Sequence, residues 1–373
     1  LKIQARIKSK AKDWKLGLKA SVWPDKSIVF YTGITAEKWT PESLTTGLAG
    51  AQTAVIYLSK EWAKAGYQVT VYNFCGDGEG IYDGVQYLHS SRFNPYDTFD
   101  NLILWRGKSL AQLDYPLKAK NIFLDMHDVP RKLEIFNKER IDKVDKIAVK
   151  SQFHRTCLPH IQDEKFIILP NGIDRDRIEL EKVKKDPYKL IYASNYIRGL
   201  EQMLTYGWPM IKQEIPEANL HVYYGWNFFD TSFKNNPERL AWKQKMLELI
   251  NQPGVTDRGR LGQDKLIEEK ATAAIHYYGC TYPETDCISV RESAMVGCVP
   301  VTTDFAALSE KPYCLQIPGA PEAQETQEAI AKKIVELLKY PDKLSQIRQE
   351  FQQAVKAETW EKIAQRWLQE LSQ

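Results

Sequence analysis

The stretch Tyr282–Thr303, YPETDCISVRESAMVGCVPVTT, decides how the rest of the chain is read. Two carboxylates, Glu284 and Glu292, are separated by seven residues. Ile288, Val290, Ala294, Met295 and Val296 recur at helical spacing, which predicts a helix from about Ser289 to Gly297. Gly297 suits the left-handed C-terminal cap. The run Val299, Val301, Thr302 and Thr303 then predicts a strand. Glu284 falls in the loop ahead of the helix and Glu292 about one turn inside it. The backbone N–H groups from Cys287 to Val290 lie at the helix start, where an anion is favoured.

A carboxylate on either side of an anion site can hold neutral hydroxyls while the helix end holds charge. A nucleoside-diphosphate sugar needs that division. By itself the spacing fits two solvated glutamates beside an ordinary helix better, and it is the surrounding chain that reverses this.

Working outward, the sequence of 373 residues is long enough for two domains. It is 43% hydrophobic and 27% charged, which supports large cores. A net charge of +3 leaves no nucleic-acid footprint. No apolar run reaches bilayer length and no secretory signal opens the chain. Leu1 is not an initiator Met, so a processed or excised chain is expected. Cysteines 75, 157, 280, 287, 298 and 314 form no C-x-x-C pair, a pattern that fits reduced thiols and a cytoplasmic location.

Residues 1–26 carry eight Lys/Arg against two Asp, with Ile3, Ile7, Ala11, Trp14 and Leu18 at helical spacing. This basic extension reads as a solvated helix packed on the body, with peripheral contact to an anionic membrane as the alternative. Strands are predicted at Ser27–Gly33 and Gln68–Phe74, around a helix bearing Ala54, Leu58, Trp62 and Ala65 on one face. Glycines 47 and 50 precede that helix, and a Gly-rich loop lets backbone approach a phosphate. Further strands are predicted at 101–105, 121–126, 146–150 and 165–169.

His127 follows a strand's C-terminal end, where open parallel sheets bind ligands, although a structural hydrogen bond explains a single His as well. Asp174-Arg175-Asp176 sits in a turn without the flanking strand that a metal site of this type needs. The charged run Glu179–Pro187 marks a linker. A second series follows: strands at 189–193, 219–224 and 274–278, helices at 200–215, 242–250 and 267–273, and a loop or short strand at 254–262. Helices at 325–339 and 342–371 close the chain, the last interrupted where Thr359 caps a fresh start. The order reads as two doubly wound α/β halves facing a cleft.

These residues resemble the GT-B glycosyltransferases, specifically the retaining family 4 type related to glycogen synthase. GLAGAQTAVIYLSKEWAKAGYQVTVY is similar to that family's glycine loop and helix, with Gly50 on the second glycine. VKSQFHR and LPNGID resemble the segments closing its N-domain, and YASNYIRGLEQML the phosphate-gripping strand and loop opening its C-domain. YPETDCISVRESAMVGCVPVTT is similar to the E-x7-E element, and TWEKIAQRWLQEL to the terminal helix that returns to the N-domain.

The resemblance implies residues 27–183, completed by 357–373, as an acceptor-side Rossmann-like domain. Residues 184–356 would form the domain that binds the nucleotide-sugar donor. It implies Glu284, Arg198 and His127 as catalytic. Gly50, Asn195, Cys287, Ile288 and Glu292 would contact the donor, Glu292 at the ribose hydroxyls. No cofactor and no metal are expected, because Arg198 and backbone amides would stabilise the departing diphosphate. The acceptor would be a glycan, a lipid-linked group or a protein, met by the loops Gly76–Asn94 and Arg106–Tyr115.

Two departures stand out. Ala193 to Asn195 occupy the place of an expected Arg, and Thr285, Asp286 and Cys287 replace expected glycines. Asp286 would repel a diphosphate unless turned away. A catalytically weak nucleotide-sugar or carbohydrate-binding module is the alternative reading. A nucleotide-sugar epimerase is disfavoured by PNGID and the E-x7-E spacing.

Overall fold

The computed structural model describes residues 19–174 and 183–372. Most of the basic extension, residues 175 and 176 of the acidic triplet, and residues 179–182 of the expected linker lie outside them. The first sheet contains β1 Ser27–Tyr31, β2 Gln68–Asn73, β3 Gly80–Tyr82, β4 Val85–His89, β5 Thr98–Trp105, β6 Lys118–Asp125, β7 Lys146–Val149 and β8 Phe166–Ile168. The second contains β9 Asp186–Ala193, β10 Asn219–Tyr223, β11 Val255–Gly259, β12 Ala273–Tyr278, β13 Val299–Thr303 and β14 Leu315–Ile317. The eight-stranded sheet is ordered β3-β4-β2-β1-β5-β6-β7-β8 and the six-stranded sheet β11-β10-β9-β12-β13-β14. Pairing is parallel apart from the β3–β4 hairpin. This is the GT-B architecture of two doubly wound halves.

Central strands such as β1, whose Ile28, Val29 and Phe30 are wholly buried, read as continuous apolar runs because helices cover both faces of the sheet. Gly50–Lys64 is the helix that follows the glycine loop. The last helix, Trp360–Leu371, returns to pack on it: Trp367 meets Trp62 edge-on at 5.7 Å, and Trp360 stacks on Tyr57 at 5.6 Å. Truncating a buried Trp of this kind costs about 3–5 kcal/mol. Thr359 Oγ1 accepts from Lys362 N at 3.3 Å, capping that helix as its sequence position predicts.

Three differences from the sequence reading have local causes. The segment 76–94 contains strands β3 and β4, not only loop, because Asp83 and Gly84 adopt positive φ and turn a tight hairpin. Residues 107–114 form a 3-10 turn. The helix from Leu200 to Glu214 carries a wide π turn at Met203–Gly207, where Pro209 has no N–H to continue the ladder.

The chain passes between the two halves at Ile173 and again at Thr359, and these crossings pair as a parallel bridge. Gly172 is required there: a Cβ would come within 2.5 Å of Trp360 N.

Candidate functional site

In each sheet the chain reverses its direction of strand addition, between β1 and β5 in the first and between β9 and β12 in the second. Crevices at such points, outside the carboxyl ends of the strands, are where open α/β sheets take ligands. The loop after β9 carries Asn195 and Arg198, and the loop after β12 carries Glu284. The switch point of the second sheet is therefore flanked by the expected cation and the first expected carboxylate.

They touch. Arg198 Nη1 donates to Glu284 Oε1 at 2.6 Å, and the same oxygen accepts from Tyr278 OH at 2.5 Å. The Arg198 guanidinium lies over the Tyr282 ring at 4.5 Å. Burial opposes the charge of Arg198, but Glu284 together with Tyr278, Cys280 and Tyr282 outweighs it and holds the pKa well above the ordinary value. The turn that delivers Arg198 is set by Asn195, whose Oδ1 accepts from Ile197 N at 3.2 Å and whose carbonyl accepts from Arg198 N at 3.0 Å. Gly199 follows at φ +107, where a Cβ would meet the Gly279 carbonyl at 2.3 Å, so the close approach of the two loops requires glycine.

Ile288–Met295 is the helix of the deciding stretch, ending at Gly297 with φ +71 as expected. Cys287 precedes it at φ +77, a left-handed conformation that suits the glycine missing from this position and costs about 1–2 kcal/mol in other residues. Ser289 Oγ donates to the Ala193 carbonyl at 2.8 Å, tying the helix start to the end of β9. Across the gap, the side chain of Ile288 lies in van der Waals range of Gly50, so the starts of the two helices face each other. Glu292 is 6% exposed, and its Oε2 accepts from Lys270 Nζ at 2.7 Å. Lys270 comes from the helix Gln263–Thr272.

Asp286 does not face the helix start where an anion is expected. Arg291 grips it through both terminal nitrogens at 2.7 and 2.8 Å, Lys311 Nζ donates at 2.5 Å, and Asn171 N donates at 2.9 Å. Burial would raise this carboxyl, but Arg291 and Lys311 drive its pKa far below the ordinary range. Arg291 also donates to Glu358, which accepts from Tyr313 OH at 3.1 Å. Asp286 is turned away, and its charge is spent at the crossing between the halves.

His127 lies on the other side of the seam, beyond the end of β6. A carboxylate only accepts, so the His127 Nε2 that meets Asp125 Oδ2 at 2.8 Å carries the proton. Lys150 Nζ donates to Asp125 Oδ1 at 2.6 Å. Burial lowers the His127 pKa against the opposing pull of Asp125, while Asp125 itself is held down at about 2 despite its burial, by His127 and Lys150. The His127 carbonyl accepts from Thr285 Oγ1 at 2.9 Å, and Ser151 Oγ donates to the Thr285 carbonyl at 2.8 Å. His127 is thereby joined to the residue next to Glu284.

Two further sets of contacts join the halves. Arg260 pairs with Glu37 at 3.0 Å and donates to the Gly47 carbonyl at 2.8 Å. At the other end, Glu310 accepts from Gln152 N and Phe153 N at 2.9 and 2.6 Å. Tyr278, Lys270, Asp125 and Lys150 were not singled out from the sequence. Nothing in their spacing links Tyr278, Lys270 and Lys150 to the carboxylates they hold. Arg291 stands inside the deciding stretch, five residues from Asp286, and a helical reading of that stretch could have flagged it.

No helix among the described residues is long and apolar enough to cross a membrane, and the six cysteines are free thiols.

By sequence, no protein-family model and no curated protein matches the chain. By structure, it is similar to sucrose-phosphate synthase from Thermosynechococcus elongatus, with a TM-score of 0.72 at 14% identity over 93% of this chain and 98% of the other. It is similar to Anabaena HepE in complex with UDP and glucose, with a TM-score of 0.67 at 13% identity over 93% and 99%. It is also similar to the N-terminal domain of Candida albicans trehalose-6-phosphate phosphatase, with a TM-score of 0.62 at 12% identity over 95% and 98%. Likeness at such identity establishes the shared fold.

Proposed function

We propose that this chain transfers a sugar from a nucleoside-diphosphate sugar to a hydroxyl acceptor, with retention of anomeric configuration and without a metal ion. The observation that carries the reading is the Arg198–Glu284 contact at the switch point of the second sheet, beside the helix start at Ile288. HepE is seen with UDP and glucose on the same architecture. In this reading residues 184–356 hold the donor, and residues 27–183 with 357–373 face the acceptor.

Arg198 donates one N–H to Glu284 and has others for an anion, so it neutralises charge growing on the departing diphosphate. The amides near Cys287 and Ile288, with the helix start at Gly50, add partial positive charge. Glu284 orients the donor sugar and stabilises positive charge at its anomeric carbon. Glu292 takes the ribose hydroxyls, Asn195 shapes the phosphate turn, and His127 borders the sugar from the opposite half. The acceptor is a glycan, a lipid-linked group or a protein. A cytoplasmic site of action completes the proposal, with peripheral membrane contact through residues 1–26 as the alternative to a solvated helix packed on the body.

A thermal-shift panel of UDP-, GDP- and ADP-sugars tests it, since a bound donor stabilises by mass action. One donor class should raise Tm and release its nucleoside diphosphate on incubation with acceptors. A flat panel sinks the reading.

One observation favours a second reading. Both glutamates are already ion-paired inside their own half, and Ala193 to Asn195 supply no cation. A catalytically weak nucleotide-sugar-binding module would show a thermal shift with one donor and no release of nucleotide to water or to any acceptor.

A further inference from the structure

The second carboxylate has a partner that the transferase reading does not call for. Lys270 Nζ is fully buried, donates to Glu292 Oε2 at 2.7 Å and reaches the Ser289 carbonyl at 3.2 Å. Glu292 Oε1 has no hydrogen-bond partner among the described residues. Beneath the helix, His276 is buried with Nδ1 against Ser293 Oγ at 2.9 Å, and burial with the nearby Lys270 charge keeps its ring neutral. Lys270 is thus the cation that meets Glu292.

Two simpler explanations fit poorly. As scaffolding, a buried ion pair is no better than apolar side chains of equal size. As a replacement for the missing phosphate-site Arg, Lys270 is misplaced, because its ammonium group is committed to Glu292 and Ser289. What the pair does achieve is an ionised carboxylate in a dry place, with one oxygen fixed and the other left to accept.

We propose that Lys270 is the positioning residue for ribose recognition: it holds Glu292 by Oε2 so that Oε1 accepts from the ribose hydroxyls of the donor. This rests on the nucleotide-sugar reading and deepens it. Hydrogen bonds to a charged acceptor are the strong ones, so loss of this alignment should cost about tenfold to a hundredfold in affinity for a nucleotide with those hydroxyls. A nucleotide lacking them should be indifferent.

The test is titration calorimetry of the full chain with UDP, GDP and ADP, each beside its 2′,3′-dideoxy counterpart. Wild type should bind one nucleoside diphosphate about tenfold or more tighter than its dideoxy form. In Lys270→Met that preference should vanish while the dideoxy affinity stays. A merely structural role weakens both ligands equally, and that result overturns the proposal. Wild type binding a nucleoside diphosphate without preferring the hydroxyls also overturns it and leaves nucleotide binding standing. Wild type binding none of the three overturns the nucleotide reading itself, and this inference with it. If Lys270→Met does not fold, Lys270→Gln replaces it, which keeps a donor beside Glu292 Oε2 without the charge and leaves Glu292 in place. Loss of the preference in that variant with the dideoxy affinity unchanged supports the proposal, and its retention overturns it.

Discussion

Glu284 and Asp286 stand two residues apart in one loop and meet opposite fates. Glu284 pairs with Arg198, whose side chain is 33% exposed, at the mouth of the crevice. Asp286 is 1% exposed between Arg291 and Lys311, at the point where the chain passes between the halves. One carboxylate meets a cation that a ligand can still reach. The other is closed off by two cations and a backbone amide. In an extended strand residues two apart share a face, but this loop bends at Thr285 between them, so a single short segment serves a crevice on one side and a joint on the other. Charge count alone would have ranked these acids as equals.

The largest effect expected from breaking this contrast is at the joint. Arg291→Met strands Asp286 and Glu358, and should cost about 3–5 kcal/mol of folding stability in a denaturant titration. Arg198→Met leaves the buried Glu284 with the Tyr278 hydroxyl as its partner and should cost less, about 1–3 kcal/mol in the same titration. A similar loss in both variants would erase the distinction.

The second effect runs the other way. On the proposed transfer reading, Arg198→Ala should lower kcat about a hundredfold to a thousandfold, because charge on the departing diphosphate would lose its grip. Undiminished turnover in this variant would remove Arg198 from the chemistry. Glu292→Ala should instead act mainly on the donor KM.

The third concerns acid. The folded pKa of Asp286 lies below its unfolded value, so its contribution is fully present above about pH 4 and is lost as pH falls toward the folded value. Below about pH 4, wild-type stability should therefore fall more steeply than that of Asp286→Asn, by up to about 1.4 kcal/mol per pH unit. Equal slopes in the two proteins would mean that Asp286 is not held ionised.

The smallest effect is at the exposed latch. Glu310→Gln removes a charge from the N–H groups of Gln152 and Phe153, and should cost about 0.5–1 kcal/mol, less at high salt. A salt-independent loss would point to packing in place of charge.

Much of the fold was legible because its signals are local. The runs at β1, β9 and β12 are apolar since both faces of those strands are covered, and Gly297 marks a helix end wherever the helix lies. The β3–β4 hairpin was hidden because its strands are short and rest on positive φ at Asp83 and Gly84. The site was legible only in part. Glu284, Arg198 and Glu292 are within reach of sequence reading; the structure brings Arg198 and Glu284 into contact at the switch point and pairs Glu292 with Lys270. Their partners Tyr278 and Lys270, and the clamp of Lys311 and Glu358 beneath, come from other elements.

The sequence by itself determined two doubly wound halves, the order of most of their strands along the chain, and two acids bracketing a helix start. Periodicity and turn chemistry act over a few residues, and that range is enough for such features. Only the tertiary structure decided which acid faces the crevice and which is locked into the joint, and which lysine holds Glu292. Ionic pairing is settled by distances of a few ångströms between segments remote in the chain, and those distances exist only once the sheets have formed.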